Sequence, residues 1–169
     1  MAGQPLAVTG ASVIAALVDR GLTIAVAESL TGGLLVAELI ATPGASAVVR
    51  GGIVAYDTRL KHSLVGVDAD LLAARGPVDS AVAEQMADRV RRACAVEGMP
   101  ADVGISTTGV AGPDSQDGHP VGTVHLGFAI GDRVLSERLQ LSGSRSAIRS
   151  ATVSESLSRL ERLLEAVRE

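Results

Sequence analysis

The stretch over residues 23–33, Thr-Ile-Ala-Val-Ala-Glu-Ser-Leu-Thr-Gly-Gly, constrains this chain more than any other. Its first five residues are a short apolar run with β-branched members and predict a buried strand. Residues 34–40 predict a helix, with Leu34, Leu35, Leu39 and Ile40 apolar. Between the two stand a carboxylate, two hydroxyls and two glycines. A strand that turns sharply into a helix leaves several backbone N–H groups unpaired at the helix start. Those amides, with the positive end of the helix dipole, suit an anion or a developing oxyanion. Ser29 stands just ahead of them, where a nucleophile belongs. The same residues also fit an ordinary helix start, with hydroxyls as caps and Gly-Gly for close packing.

The rest of the composition narrows the chemistry. A chain of 169 residues, 47% of them apolar, can form one domain with a substantial core. With one Tyr, one Phe and no Trp, that core is Val, Leu, Ile and Ala. The lack of aromatic stacking surfaces, a net charge of −4 and the absence of a basic cluster argue against a nucleic-acid partner. No apolar run is long enough to span a bilayer, and the N-terminus lacks a signal pattern, so no membrane partner is expected. The single Cys94 fits a reducing, cytoplasmic setting. The cations are more pointed: 14 are Arg and one is Lys, Lys61. An amine can lose its proton near neutral pH when desolvated, which a guanidinium does not do.

Taken in order, residues 6–20 predict a first helix with a stripe of Val13, Ile14, Leu17 and Val18, ended by Gly21. Residues 51–56 predict a strand that delivers Tyr56. Asp57 or Thr58 then caps a short helix carrying Lys61, so that Tyr56 and Lys61 can face one cleft. Residues 68–74 predict a helical turn or two, broken by Gly76 and Pro77. Residues 80–97 predict an amphipathic helix on which Val82, Met86, Val90 and Cys94 face the core. Residues 103–107 predict a strand. The loop over 108–120, rich in Gly, Pro and Asp, is expected on the surface and in a functional role. Residues 121–130 and 134–141 predict a hairpin turned by Gly131 and Asp132, with His125 on the face away from the core. Residues 145–167 predict a final helix with Val153, Leu157, Leu160, Leu164 and Val167 inside; Arg145 and Arg149 at its start can meet an anion, and a solvated helix face explains them equally well. No histidines have metal-ligand spacing, so no metal and no cofactor is expected.

This alternation of strands and helices, closed by a hairpin and a helix, predicts an α/β fold: a single three-layer α/β/α domain with a mixed sheet over residues 1–169. Neither a dinucleotide fingerprint nor a Walker A motif is present.

Several ordered motifs carry a likeness. Glu28-Ser29-Leu30-Thr31-Gly32-Gly33 resembles the E-S-x-T-G-G motif of the CinA C-terminal domain family. Tyr56 with Lys61, Gly109-Val110-Ala111-Gly112-Pro113-Asp114, Pro120-Val121-Gly122-Thr123-Val124 and Ser142-Gly143 with Arg145 follow in the family's order. The pattern departs at Asp57 and Thr58 after the tyrosine, and at Ser144 before Arg145.

The family's enzymatic members are nicotinamide-nucleotide amidohydrolases, which convert nicotinamide mononucleotide and water to nicotinate mononucleotide and ammonia in pyridine-nucleotide salvage. The resemblance implies a serine nucleophile at Ser29, a lysine base at Lys61 and support from Tyr56. It makes Glu28, Thr31, Gly32, Gly33, Thr108, Gly109, Gly112 and Arg145 the substrate-binding candidates, with amides near residues 31–33 for the oxyanion. Either the loop over 109–113 or Arg145 would take the phosphate. Larger members carry an extra N-terminal domain, and the chain looks like the stand-alone form. A serine–lysine amidase for another small amide and a catalytically silent nucleotide-binding module are the alternatives. A homo-oligomer is the ordinary expectation for a small α/β enzyme.

Overall fold

A computed structural model describes residues 9–166. The chain runs through α1 (Gly10–Arg20), β1 (Ile24–Glu28), α2 (Leu34–Ile40), a short 3₁₀ turn (Ala45–Ala47), β2 (Val49–Val54) and α3 (Thr58–Leu60). α3 continues into a π-turn (Lys61–Val65), followed by α4 (Ala69–Arg75), α5 (Ser80–Ala93), β3 (Val103–Gly109), β4 (Thr123–Ile130), β5 (Arg133–Gln140) and α6 (Arg145–Ala166).

The five strands form one mixed sheet in the order β2-β1-β3-β4-β5. β1 runs parallel to β2 and β3, whereas β4 is antiparallel to β3 and to β5. β1 is buried on both faces, and its alternating side chains feed two cores. Ile24 and Val26 join Val13, Leu17, Leu35, Leu39, Leu157 and Leu160 beneath α1, α2 and α6. Ala25 and Ala27 face Val82, Met86 and Val90 of α5. The result is the expected three-layer α/β/α architecture.

Small residues bring α5 close to the sheet. A Cβ on Gly104 would lie 1.8 Å from the Ala87 carbonyl oxygen, and one on Gly127 would lie 2.1 Å from that of Ala83. Ser106 fills the gap between them by donating to the same Ala83 carbonyl at 2.6 Å. The hairpin follows its predicted pattern: Val124 lies opposite Leu139 and Phe128 opposite Leu135. Gly131, at φ +57, turns the chain between Ile130 and Arg133.

The structure corrects several expectations. α1 begins at Gly10, residues 6–8 and Val167 lie outside the described residues, and Val18 is exposed. Leu34 and Ile40 are exposed too, so α2 buries only Leu35 and Leu39 fully. α5 ends at Ala93 because Val96 and Met99 pair their backbones across Glu97 and Gly98, both at positive φ. β2 stops at Val54, two residues before Tyr56, because the chain leaves the sheet to let Asp57 cap α3. The loop after β3 is not wholly on the surface: Val110, Ala111 and Gly112 are buried, and Val110 still pairs with Thr123 and Gly122. His125, expected on the face away from the core, is buried at 7% exposure. No helix among the described residues is long and apolar enough to cross a membrane.

Candidate active site

The three parallel strands end on the same side of the sheet. Glu28 lies opposite Val54 of β2 and Thr107 of β3. The next residues are therefore neighbours too: the Ser29 amide donates to the Thr107 carbonyl at 3.0 Å, and the Ala55 amide to the Glu28 carbonyl at 2.8 Å. Crevices beyond the carboxyl ends of parallel strands are where α/β sheets bind ligands. A cavity of about 160 Å³ opens here, with Ser29, Tyr56, Lys61, Thr108, Gly109, Gly112 and Arg145 among its walls.

Lys61 is held on the first residue of the π-turn, the kind of helical irregularity that concentrates at functional sites. It is only 1% exposed, and Ser29 8%. Its Nζ lies 3.0 Å from Ser29 Oγ and donates to the Ala55 carbonyl at 2.8 Å. Burial pushes the amine down from 10.5 to about 8, against the opposing pull of the Asp57 carboxylate. The only lysine of the chain is thus a buried amine within hydrogen-bond reach of the hydroxyl singled out by the first motif. Nucleophile and base at this spacing are the arrangement that activates a hydroxyl.

Glu28 and the Gly-Gly pair stand elsewhere than expected. The buried Glu28 carboxylate accepts from the amides of Gly33 (3.0 Å), Leu35 (3.0 Å) and Val36 (2.9 Å), so it caps α2 from the end of β1. Those amides are occupied and do not face the cavity. The Gly32 amide donates to the Ser29 carbonyl at 3.1 Å. Thr31 is buried behind the site, its hydroxyl 2.7 Å from that of Thr107. In this turn the amides that find no acceptor among the described residues are those of Leu30 and Thr31, so the free pair begins one residue before the expected 31–33 and shares Thr31 with it.

The opposite wall is built by Tyr56 and Arg145. Tyr56 is 58% exposed, and its hydroxyl accepts from Arg145 Nη2 at 2.9 Å instead of meeting Lys61. Arg145 Nη1 donates to the Gly112 carbonyl at 2.7 Å. The two anion-site candidates, loop and arginine, are therefore one wall. The Ala111 and Gly112 amides on this wall also lack an acceptor among the described residues. Gly112 sits at φ +84, and a Cβ there would lie 2.8 Å from a methyl of Val121.

The CinA C-terminal domain profile matches residues 7–164 of the chain. The chain belongs to the CinA C-terminal domain family. A CinA-like protein of Frankia casuarinae is 47% identical over 152 residues, 90% of this chain and 34% of its own. A relative in Geobacillus kaustophilus, named for competence and damage induction, is 50% identical over 137 residues, 80% of this chain and 32% of its own. The chain thus spans about a third of the length of these curated relatives. Among solved structures, a CinA superfamily protein from Klebsiella pneumoniae superposes with a TM-score of 0.87 at 28% identity, covering 93% of this chain and 96% of that one. The competence/damage inducible protein CihA of Agrobacterium tumefaciens gives 0.83 at 32% identity, covering 98% and 99%.

Other members of the cavity wall were not singled out by sequence. Pro77 and Val78, between α4 and α5, read only as a helix break, yet the Thr108 hydroxyl donates to the Pro77 carbonyl at 2.6 Å and draws them to the site. Thr58 and Asp114 also line it and were visible as motif positions. The family departures serve helix starts: Asp57 accepts from the Arg59 amide at 2.9 Å, and Ser144 Oγ from the Ala147 amide at 3.2 Å. His125 sits in β4 outside the cavity wall, its Nδ1 without a partner among the described residues, and burial lowers its pKa. Cys94 packs partly against the α5 core. Among the described residues no three His, Cys, Asp or Glu side chains gather to hold a metal ion.

Proposed function

We propose that this CinA-family domain is an amidohydrolase that converts nicotinamide mononucleotide to nicotinate mononucleotide and ammonia. The observation that carries the reading is the buried Lys61 amine 3.0 Å from Ser29 Oγ at the floor of a polar cavity.

In this reading the neutral Lys61 amine takes the Ser29 proton while Oγ attacks the carboxamide carbon. The carbonyl oxygen becomes an oxyanion, which the amides of Leu30 and Thr31 stabilise. The Lys61 ammonium then protonates the amide nitrogen, the C–N bond breaks and ammonia leaves an ester on Ser29. Water, deprotonated by the same amine, cleaves that ester; nicotinate mononucleotide departs and Ser29 regains its proton. Arg145 and the Ala111 and Gly112 amides bind the phosphate as one site, with Tyr56 orienting the guanidinium.

The test is product identification. Purified protein is given nicotinamide mononucleotide beside a panel of other small primary amides, and products are separated by chromatography. Equimolar nicotinate mononucleotide and ammonia support the assignment. Turnover of another amide alone would move the substrate while keeping the chemistry. Pyridine-nucleotide binding without turnover of anything would leave a binding module.

A further inference from the structure

Arg149 reaches from the start of α6 to the turn that follows Ser29. Its Nε donates to the Leu30 carbonyl at 2.8 Å and its Nη2 to the Thr31 carbonyl at 3.2 Å. Both contacts span well over a hundred positions of sequence, and Arg149 is not part of the cavity wall. Its Nε and Nη2 thus go to backbone carbonyls rather than into the cavity.

The geometry of the peptide gives these contacts a consequence. Across a trans peptide the carbonyl and the following N–H point in opposite directions. Holding the Leu30 carbonyl therefore sets the direction of the Thr31 amide. The preceding unit is set in the same way, because the Gly32 amide holds the Ser29 carbonyl at 3.1 Å and so orients the Leu30 amide. The two amides without an acceptor are thus the far ends of two peptide units gripped by their oxygens. One grip comes from the turn itself and the other from Arg149. Two glycines at positive φ follow, Gly32 at +57 and Gly33 at +99, and beyond the Leu30 peptide the turn is held by the Gly33 amide on Glu28 and the Leu34 amide on the Thr31 carbonyl.

We infer that Arg149 is a positioning residue: it holds the turn after Ser29 so that the Leu30 and Thr31 amides are aimed at the developing oxyanion. This rests on the reading of Ser29 as nucleophile. A guanidinium suits the task because its planar fork reaches two carbonyl oxygens at once, and its charge polarises the peptide it holds.

A fluorophosphonate tests this without depending on which amide is the substrate. Ser29 Oγ attacks phosphorus, the P–O bond forms, the P–F bond breaks, fluoride leaves and the serine proton passes to Lys61. The charge gathers on the phosphoryl oxygen. Wild type is expected to label on Ser29, and Ser29→Ala not at all. Arg149→Ala is expected to label about 10- to 100-fold more slowly, at a temperature where circular dichroism shows it folded, and added guanidinium ion is expected to restore part of the rate. Equal labelling of wild type and Arg149→Ala overturns the inference. So does a slowed rate that guanidinium leaves unchanged, since a mere tie between α6 and the core has that signature. If Arg149→Ala does not fold, Arg149→Lys is read in its place: several-fold slower labelling at an unchanged melting temperature supports the positioning role, and wild-type labelling overturns it. Unlabelled wild type removes the Ser29 reading and this inference together.

Discussion

Lys61 Nζ stands 3.0 Å from Ser29 Oγ, and both groups are buried where β1 and β2 leave the sheet. Burial holds the amine near 8, so about one in ten is neutral at pH 7. If the neutral amine is the base, kcat/KM rises about tenfold per pH unit below 8 and levels off above it. Lys61→Arg is expected to lose about 10³-fold in activity, nearly as much as Lys61→Ala, because a guanidinium stays protonated. A pH–rate profile of wild type with both variants reads this directly, and near-native turnover by Lys61→Arg removes Lys61 as the base.

The same amine weakens the fold at neutral pH. Its folded value of about 8 lies below the ordinary 10.5. Between those values the unfolded chain binds more protons, so stability rises with pH across that window. Below it the burial penalty is present in full. Lys61→Met is therefore expected to be more stable than wild type at pH 7 by about 1–2 kcal/mol, and inactive. Urea midpoints at pH 7 and pH 10 check the sign: the advantage of the variant shrinks at the higher pH.

Glu28 caps the start of α2. Its carboxylate satisfies three amides of the helix start. Glu28→Gln replaces one acceptor oxygen with a donor, and is expected to lose about 2–3 kcal/mol of stability. KM of the protein that remains folded should be unchanged. A rise in KM at intact stability would return Glu28 to the binding site.

Arg145 joins the loop after β3 to Tyr56 through its Gly112 and Tyr56 contacts. If this wall binds phosphate, Arg145→Ala raises KM for nicotinamide mononucleotide about tenfold or more, the loss of one charge-assisted contact. The unphosphorylated nucleoside should be indifferent to the change. Equal effects on both substrates would place the phosphate elsewhere.

Strong local signals made the fold readable. The apolar run of β1, the limits of α2 and the alternation of the hairpin follow from period and turn chemistry, and the structure places them within a residue or two. The candidate pair stands out for different reasons: Ser29 lies in a strand-to-helix turn, and Lys61 is the single lysine in an arginine-rich chain. What escaped were contacts made at a distance. Glu28 next to Ser29 looks like a ligand contact, because nothing local shows that its oxygens are used by amides seven and eight positions on. Arg149 looks like a solvated helix residue, because its partners are Leu30 and Thr31 across the fold. Tyr56 reads as the end of a strand because an apolar run precedes it, whereas capping by Asp57 ends the strand early.

The most direct measurement is the rate of ammonia release from nicotinamide mononucleotide by purified wild type, with Ser29→Ala prepared in parallel. The account predicts steady release by wild type and none above background from Ser29→Ala, with melting curves alike. Equal release by the two proteins, or silence from both, contradicts it.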